Sequence, residues 1–274
     1  MGTGRLYRTE GIVIHRRNQG DADRVLRLCT PSGKVDVLAK GARKLRSRKA
    51  GHIQLFSRSS FVLSRVPNYW DIISQAETLE AHSRLQSDLL RGTYARYAVE
   101  LLDRFFAEGQ GRTALFDLLN HTLTWLCQGE DPRGSAHSLD AIARFYEQHL
   151  LGLAGFRPEL FRCVGEHETL HPLRREEPQA GGRPFGFDPE KGGALCPACY
   201  AANRRAPDVI ALSPDALGFL QACQSSPYTS VASRPISNGL HRELERAMRH
   251  YVTYHLGQDI RAATFLQQVR RVQG

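Results

Sequence analysis

Two groups of residues in this chain have types and spacings that could do chemistry. The first is Lys40-Gly41-Ala42-Arg43-Lys44-Leu45-Arg46-Ser47-Arg48-Lys49, in which six of ten residues are basic and none is acidic. Lys34 lies just upstream. Such a run concentrates positive potential, attracts a polyanion and speeds encounter with it. Nucleic acid is the commonest partner of this kind, and cations on a loop can follow its phosphates without reading bases. The other reading is a solvated, disordered charge run. Leu45 within the run and strand-like sequence on both sides weigh against that reading. Four aromatic residues follow: Phe56, Phe61, Tyr69 and Trp70. Phe56 and Phe61 fit a core. Tyr69 and Trp70, beside the turn-forming Pro67-Asn68, could stack on unpaired bases, worth about 1–3 kcal/mol per base.

The second group is the pair Cys196-Pro197-Ala198-Cys199. A tight turn at this spacing presents two thiolates to one tetrahedral ion, which is half of a zinc site. Cys163 supplies a third ligand, and His167, four residues on, supplies a fourth; Glu166 and His171 are alternatives. A redox pair would call for a thioredoxin-like strand–helix unit, which the surrounding sequence lacks. An unmetallated remnant of a zinc site also fits the pattern. No neighbouring group suggests an activated water, so the metal's role would be structural. Cys29, Cys127 and Cys223 stand apart and read as small buried hydrophobes.

The chain shows no Walker loop, no glycine-rich dinucleotide fingerprint and no convincing nucleophile–base set. Asp21 and Asp23 could hold a metal for phosphodiester cleavage, but two carboxylates at this spacing are ordinary turn residues. The expectation is a protein that is not an enzyme.

The elements that must position these groups follow from pattern. At 274 residues, 41% hydrophobic and 24% charged, the chain has the composition of a globular protein of two or three domains. No apolar run approaches the roughly 20 residues that span a bilayer, and the amino terminus lacks a secretory segment. A cytoplasmic, nucleoid-associated protein is expected. The net charge of +9 is unevenly placed: residues 1–80 carry fifteen Lys or Arg and seven Asp or Glu, a net of +8.

Those 80 residues alternate like strands at Leu6–Arg16, Arg24–Thr30, Val35–Lys40, Ile53–Leu63 and Tyr69–Thr78. Thr30-Pro31-Ser32-Gly33 makes a tight turn. Five short strands fit a small barrel of the OB type, and an SH3-like barrel fits nearly as well. The basic run becomes the long connection between the third and fourth strands. From residue 83 the apolar period changes to three and four. Helices are expected through Leu85–Phe106, Leu115–Leu126 and Leu139–Leu153, with Gly155 as a left-handed cap. Residues 159–206 lose this period and need a staple. Helical signals return at Ser213-Pro214 and run through Leu240–Gly257. The expected organisation is a barrel at 1–80, a helical bundle at 81–158 and 207–274, and an insert at 159–206.

These residues resemble the bacterial recombination mediator family RecO over nearly the full chain. The resemblance is carried by Gly11-Ile12-Val13-Ile14, Gln19-Gly20-Asp21-Ala22-Asp23, Lys40-Gly41-Ala42-Arg43, Leu151 to Pro158 with Cys163, and Gly192-Gly193-Ala194-Leu195-Cys196-Pro197-Ala198-Cys199. It implies a multidomain α+β protein: an amino-terminal five-stranded OB-fold β-barrel, then an α-helical bundle with a zinc-finger-like insert. It also implies binding of single- and double-stranded DNA and annealing of complementary strands. RecR and single-stranded-DNA-binding protein (SSB) are the implied partners, in loading RecA on coated strands during recombinational repair. Where many members carry a second cysteine three residues after the first, this chain has Glu166.

The function expected is non-enzymatic DNA binding and annealing, with Lys34, Lys40, Arg43, Lys44, Arg46, Arg48 and Lys49 neutralising phosphates beside Tyr69 and Trp70. The metal set expected is Cys163, His167, Cys196 and Cys199. A scaffold whose basic loop grips an acidic protein is the alternative.

Overall fold

The computed structural model describes residues 5–110, 113–128, 137–165, 169–170, 183–232, 234 and 236–273, with the backbone alone at 137, 138 and 271–273. Two compact units emerge, residues 1–128 with 265–274 and residues 129–264.

The first unit is built on five strands: β1 (Leu6–Gln19), β2 (Asp23–Thr30), β3 (Gly33–Ala39), β4 (Arg58–Ser64) and β5 (Asp71–Glu80). They close into a barrel in the order β1-β2-β3-β5-β4. All neighbouring pairs are antiparallel except β3 and β5, which run parallel. β1 is long enough to serve two neighbours, pairing with β4 from Leu6 to Ile12 and with β2 from Ile12 to Gln19. This order is that of the OB-type barrel and settles the choice against an SH3-like one. Val13, Leu26, Leu28, Val37, Ala39, Phe61, Leu63 and Ile73 fill the interior.

Residues 40–57 form the connection between β3 and β4, ending in a 3-10 turn at Ala50–Ile53. Sequence alternation starts the fourth strand at Ile53, whereas the ladder begins at Arg58. Ile53 and Phe56 are both buried, and Phe56 takes a positive φ of 68° that no strand accommodates. Phe56 and Phe61 are both core residues, as their pattern indicates.

Three helices complete this unit: α1 (Arg84–Ser87), α2 (Leu89–Phe105) and α3 (Thr113–Gln128). Asp88 caps α2 by accepting from the Arg91 amide. The helices are tied to the barrel by polar groups. Lys34 Nζ donates to Asp103 Oδ1 at 2.6 Å and to the Asp103 carbonyl at 2.9 Å. Arg27 forks onto Asp36 at 2.8 and 3.1 Å and also pairs with Glu108 and Asp103. His82 donates from Nδ1 to the Phe56 carbonyl, and its Nε2 meets the Thr124 hydroxyl.

The second unit holds α4 (His137–Ala154), β6 (Phe185–Asp188), β7 (Gly193–Leu195), α5 (Pro197–Asn203), β8 (Ile210–Leu212), α6 (Pro214–Ser225), α7 (Tyr228–Ala232) and α8 (Asn238–Leu256). α9 (Arg261–Gln273) follows, and its residues from Phe265 belong with the first unit. Ser213 caps α6 by accepting from the Ala216 amide, with Pro214 at the first helical position. Gly155 ends α4 with a φ of 85°. The expected poorly hydrophobic insert instead contains most of a three-stranded sheet, ordered β7-β6-β8. Every residue of β6 and β7 is buried, and Phe187 stacks on Tyr251 with ring centroids 5.0 Å apart.

His15, Lys34 and Arg27 gather on Asp103 and hold its carboxyl well below the usual carboxylate range, the His15 hydrogen bond contributing most. A carboxylate with a lowered folded pKa stabilises fully above its unfolded value near 3.9 and loses that contribution as pH falls from there to the folded value. Both tryptophans, Trp70 and Trp125, lie in the first unit, so their fluorescence reports its unfolding. Asp103→Asn is expected to lower that unfolding free energy by about 2 kcal/mol at pH 7, since it leaves the largely buried Lys34 ammonium without its counter-charge. It should also flatten the loss of stability that the wild type shows in urea titrations as pH falls below about 5.

Candidate nucleic-acid interface and metal centre

The basic loop leaves the barrel where three other segments meet. The register pairs Gln19 with Asp23, Arg24 with Ala39, Val37 with Asp71, Ile72 with Ser64 and Ser64 with Leu6. The β1–β2 turn, the exit of β3 and the β4–β5 turn therefore lie at one end of the barrel.

The loop is held there by its backbone. The Gly41 amide donates to Asp23 Oδ1 at 2.7 Å, and the Arg43 amide donates to the Ala22 carbonyl at 2.9 Å. Arg43 Nη1 reaches the Gly20 carbonyl at 2.9 Å. Within the loop, Lys44 donates to the Gly41 carbonyl and Ser47 to the Lys44 carbonyl. Ala42 is buried among the barrel's core residues. Asp23 is thus a loop anchor, in keeping with the turn-residue reading of the Asp21–Asp23 pair.

Lys40, Arg43, Lys44, Arg46 and Arg48 are exposed. Among the described residues none of them forms an ion pair. Lys49 is half-buried, donates to the Ile73 carbonyl at 2.6 Å, and is pushed below the usual lysine range by burial. Lys34 differs most from expectation. It begins β3 while Lys40 follows the strand's end, about 20 Å away in an extended chain. Its side chain is only 5% exposed and committed to Asp103, so it cannot face a phosphate. The physical cause is a partner 69 residues away in sequence.

Tyr69 is 55% exposed and packs against Trp70 with ring centroids 5.1 Å apart. The Arg17 guanidinium lies 5.0 Å from the Trp70 ring centre, a cation–π contact that braces the indole. Arg65 similarly covers the Tyr7 ring at 5.3 Å. Arg16 is pushed below the usual arginine range, chiefly by burial and then by its neighbours Arg24 and Arg96. Sequence reasoning singled out none of Arg16, Arg17, Arg65 or Arg96 as a site residue. The adjacent Arg16 and Arg17, directly before a turn, were the available signal.

In the second unit, the Sγ atoms of Cys163, Cys196 and Cys199 all lie within 4.8 Å of one another. β7 ends at Leu195, and Cys196 caps α5 with Pro197 at its first position, so the turn projects both cysteines of the pair to one side. Cys163 is brought alongside by backbone pairing to β7: the Ala194 amide donates to the Glu159 carbonyl at 2.8 Å and the Val164 amide to the Ala194 carbonyl at 3.0 Å. Gly165 permits the close approach, because a Cβ there would meet Cys199 Sγ at 2.8 Å.

Burial opposes ionisation of Cys163, but the amides of Cys196 and Gly165, donating to its sulfur at 3.2 and 3.4 Å, outweigh it and lower the thiol. Burial, with the neighbouring sulfurs, pushes the Cys199 thiol up to about 12. Metal–sulfur bonds near 2.3 Å in a tetrahedron place sulfurs roughly 3.8 Å apart, which this cluster accommodates. Three thiols sharing one small space could bind a metal ion that compensates their charge on deprotonation. His167, expected as the fourth ligand, lies outside the described residues, as do Glu166 and His171.

Residues 3–82 match the family model described as Recombination protein O N terminal, and residues 86–263 match Recombination protein O C terminal. The DNA repair protein RecO of Roseiflexus sp. (strain RS-1) is 37% identical over 268 residues, covering 98% of this chain and 87% of the relative. That of Symbiobacterium thermophilum is 34% identical over 268 residues, covering 97% and 98%. That of Desulforamulus reducens is 30% identical over 266 residues, covering 97% and 95%.

Asp23→Ala removes the acceptor that holds Gly41. Tryptic cleavage after Lys44 or Arg46, followed by mass spectrometry, is expected to accelerate roughly fivefold, the factor that about 1 kcal/mol of lost anchoring gives.

Proposed function

Because the chain belongs to the RecO family of DNA repair proteins, we propose that the loop end of its barrel grips the phosphate backbone of DNA, single- or double-stranded. The observation that carries this reading is the set of five exposed cations, Lys40, Arg43, Lys44, Arg46 and Arg48, on a backbone-pinned loop without ion-pair partners among the described residues. Arg17, Tyr69 and Trp70 extend the same end with an aromatic surface on which bases can stack. Lys34 and Lys49 support the barrel rather than the ligand, since both ammonium groups are already occupied.

The proposed action is non-catalytic. Bound cations displace condensed counterions, which lowers the repulsion between two strands and lets complementary bases pair. Sequence selectivity is slight, because phosphates carry no sequence information. In the cell this corresponds to annealing, and to loading RecA on strands coated by SSB, with RecR as a further partner and the nucleoid as the place of action. Residues 1–80 carry the grip. Residues 81–158 and 207–274 form the helical domain, and residues 159–206 are stapled by a structural zinc ion held by Cys163, Cys196, Cys199 and His167, with Glu166 or His171 as alternative fourth ligands.

Two measurements test these assignments. With Arg43→Glu combined with Lys44→Glu, fluorescence anisotropy on a labelled oligonucleotide should show weaker binding. The slope of log affinity against log salt should shrink by about 1.4, since each phosphate contact on a single strand contributes about 0.7. An unchanged affinity and slope would place the site elsewhere, and loss of binding to an acidic protein with DNA binding unchanged would favour the scaffold reading. Purified protein should carry one zinc per chain by elemental analysis, with zinc lost in Cys196→Ser and on acidification as thiolates protonate. Protein that takes up no zinc, and gains no thermal stability from added zinc, would overturn the staple.

A further inference from the structure

We propose that Leu45 is a base-contacting wedge, an apolar side chain carried at the loop's apex to enter between unpaired bases of a strand whose phosphates the flanking cations hold. This rests on the reading of the loop as a nucleic-acid grip. The loop is capable of burying its apolar residues: Ala42 is 2%, Ile53 0% and Phe56 2% exposed. Leu45 is 107% exposed, the most of any large hydrophobic in the described residues. Its exposure is not slack chain. The loop is anchored before it through Gly41 and Arg43, and turned around it by the hydrogen bond from Ser47 to the Lys44 carbonyl at 2.9 Å. Lys44 and Arg46 flank it and are exposed too.

The occupant follows from charge. Any surface that covers Leu45 must also satisfy Lys44 and Arg46, so it must present anions on either side of an apolar face. A single strand with phosphates outside and unstacked base faces between them has that form. Apolar side chains that enter base steps act in this way, using backbone contacts to offset the cost of unstacking. A wedge at the apex would hold bases apart from their own strand's secondary structure, open for a complementary strand. Tyr69 and Trp70, at the same end of the barrel, offer faces for bases so displaced.

The test uses the full chain and an oligonucleotide of mixed sequence carrying one 2-aminopurine, which brightens when unstacked. Wild-type protein should raise the fluorescence. Leu45→Ala should abolish most of the rise and weaken single-strand affinity about tenfold, the loss expected when most of a leucine side chain's apolar contact is removed. Its salt slope should stay at the wild-type value, and Leu45→Phe should restore the rise. Arg43→Glu with Lys44→Glu alters the salt slope whether or not Leu45 acts as a wedge, so failure of the grip and failure of the wedge are separate results. The wedge is overturned if wild-type protein produces no rise, or if Leu45→Ala keeps both rise and affinity. It is equally overturned if Leu45→Ala weakens binding only to an acidic protein.

Discussion

Repulsion among like charges is the constraint that the first unit has to resolve, and it does so differently at the two ends of the barrel. Toward the β2–β3 turn, Arg27 and Lys34 meet Asp36, Asp103 and Glu108, so the positive charge is paired as it is buried. At the opposite end the cations of the 40s loop have no such partners among the described residues, and the loop is held by hydrogen bonds to the Gly20 and Ala22 carbonyls and the Asp23 carboxylate. Two unit charges several ångströms apart in water repel by less than about 1 kcal/mol. A handful of exposed cations therefore costs a few kcal/mol, which anchoring bonds of about 1 kcal/mol each can offset. A polyanion arriving there relieves repulsion that the fold has already sustained.

Much of this unit was legible in the sequence because its determinants are local. Strands facing a barrel interior on one side alternate, and Val25, Leu26, Leu28, Val35 and Val37 announce two of them. Thr30 reaches the Gly33 carbonyl across the turn that Pro31 and Gly33 signal. What the sequence did not disclose depends on distant contacts. Nothing near Lys34 tells that Asp103 awaits it, so a cation close to a basic run passes for part of it. The start of the fourth strand failed for the same reason. Ile53 and Phe56 have strand-forming side chains, yet the barrel uses both as plugs, and the chain turns at Phe56 to seat them.

The insert illustrates a different limit. Strands of three or four residues buried on both faces show no alternation, so Phe185–Asp188 and Gly193–Leu195 carried no periodic signal. The cysteine spacing was legible, because two thiols three residues apart on a turn are a local device. The approach of Cys163 was legible only as a possibility. Its realisation depends on the pairing of Glu159 and Val164 with Ala194 and on a glycine at 165 that leaves room for Cys199. The sulfur cluster and the small sheet are thus one construction, since the backbone pairing that extends from β7 also brings the Cys163 sulfur beside the pair.

β3 links the two kinds of charge management in the first unit. Its first residues carry Lys34 into the α2 carboxylate, and its last residue is followed by the exposed cations. Side chains on a strand alternate with a period of two, so a slip by one residue would turn Lys34 outward and bring a neighbour inward. The same slip would move Gly41 off Asp23 and Arg43 off Ala22. The Lys34–Asp103 pair and the Gly41–Asp23 bond therefore select one register from opposite ends. A buried ion pair adds little net stability when compared with apolar packing, but it discriminates strongly against arrangements that leave one partner alone. Its effect here is to specify where the loop emerges. The placement of Arg43, Lys44, Leu45 and Arg46 at this end of the barrel depends on a contact made at the far end of the same strand.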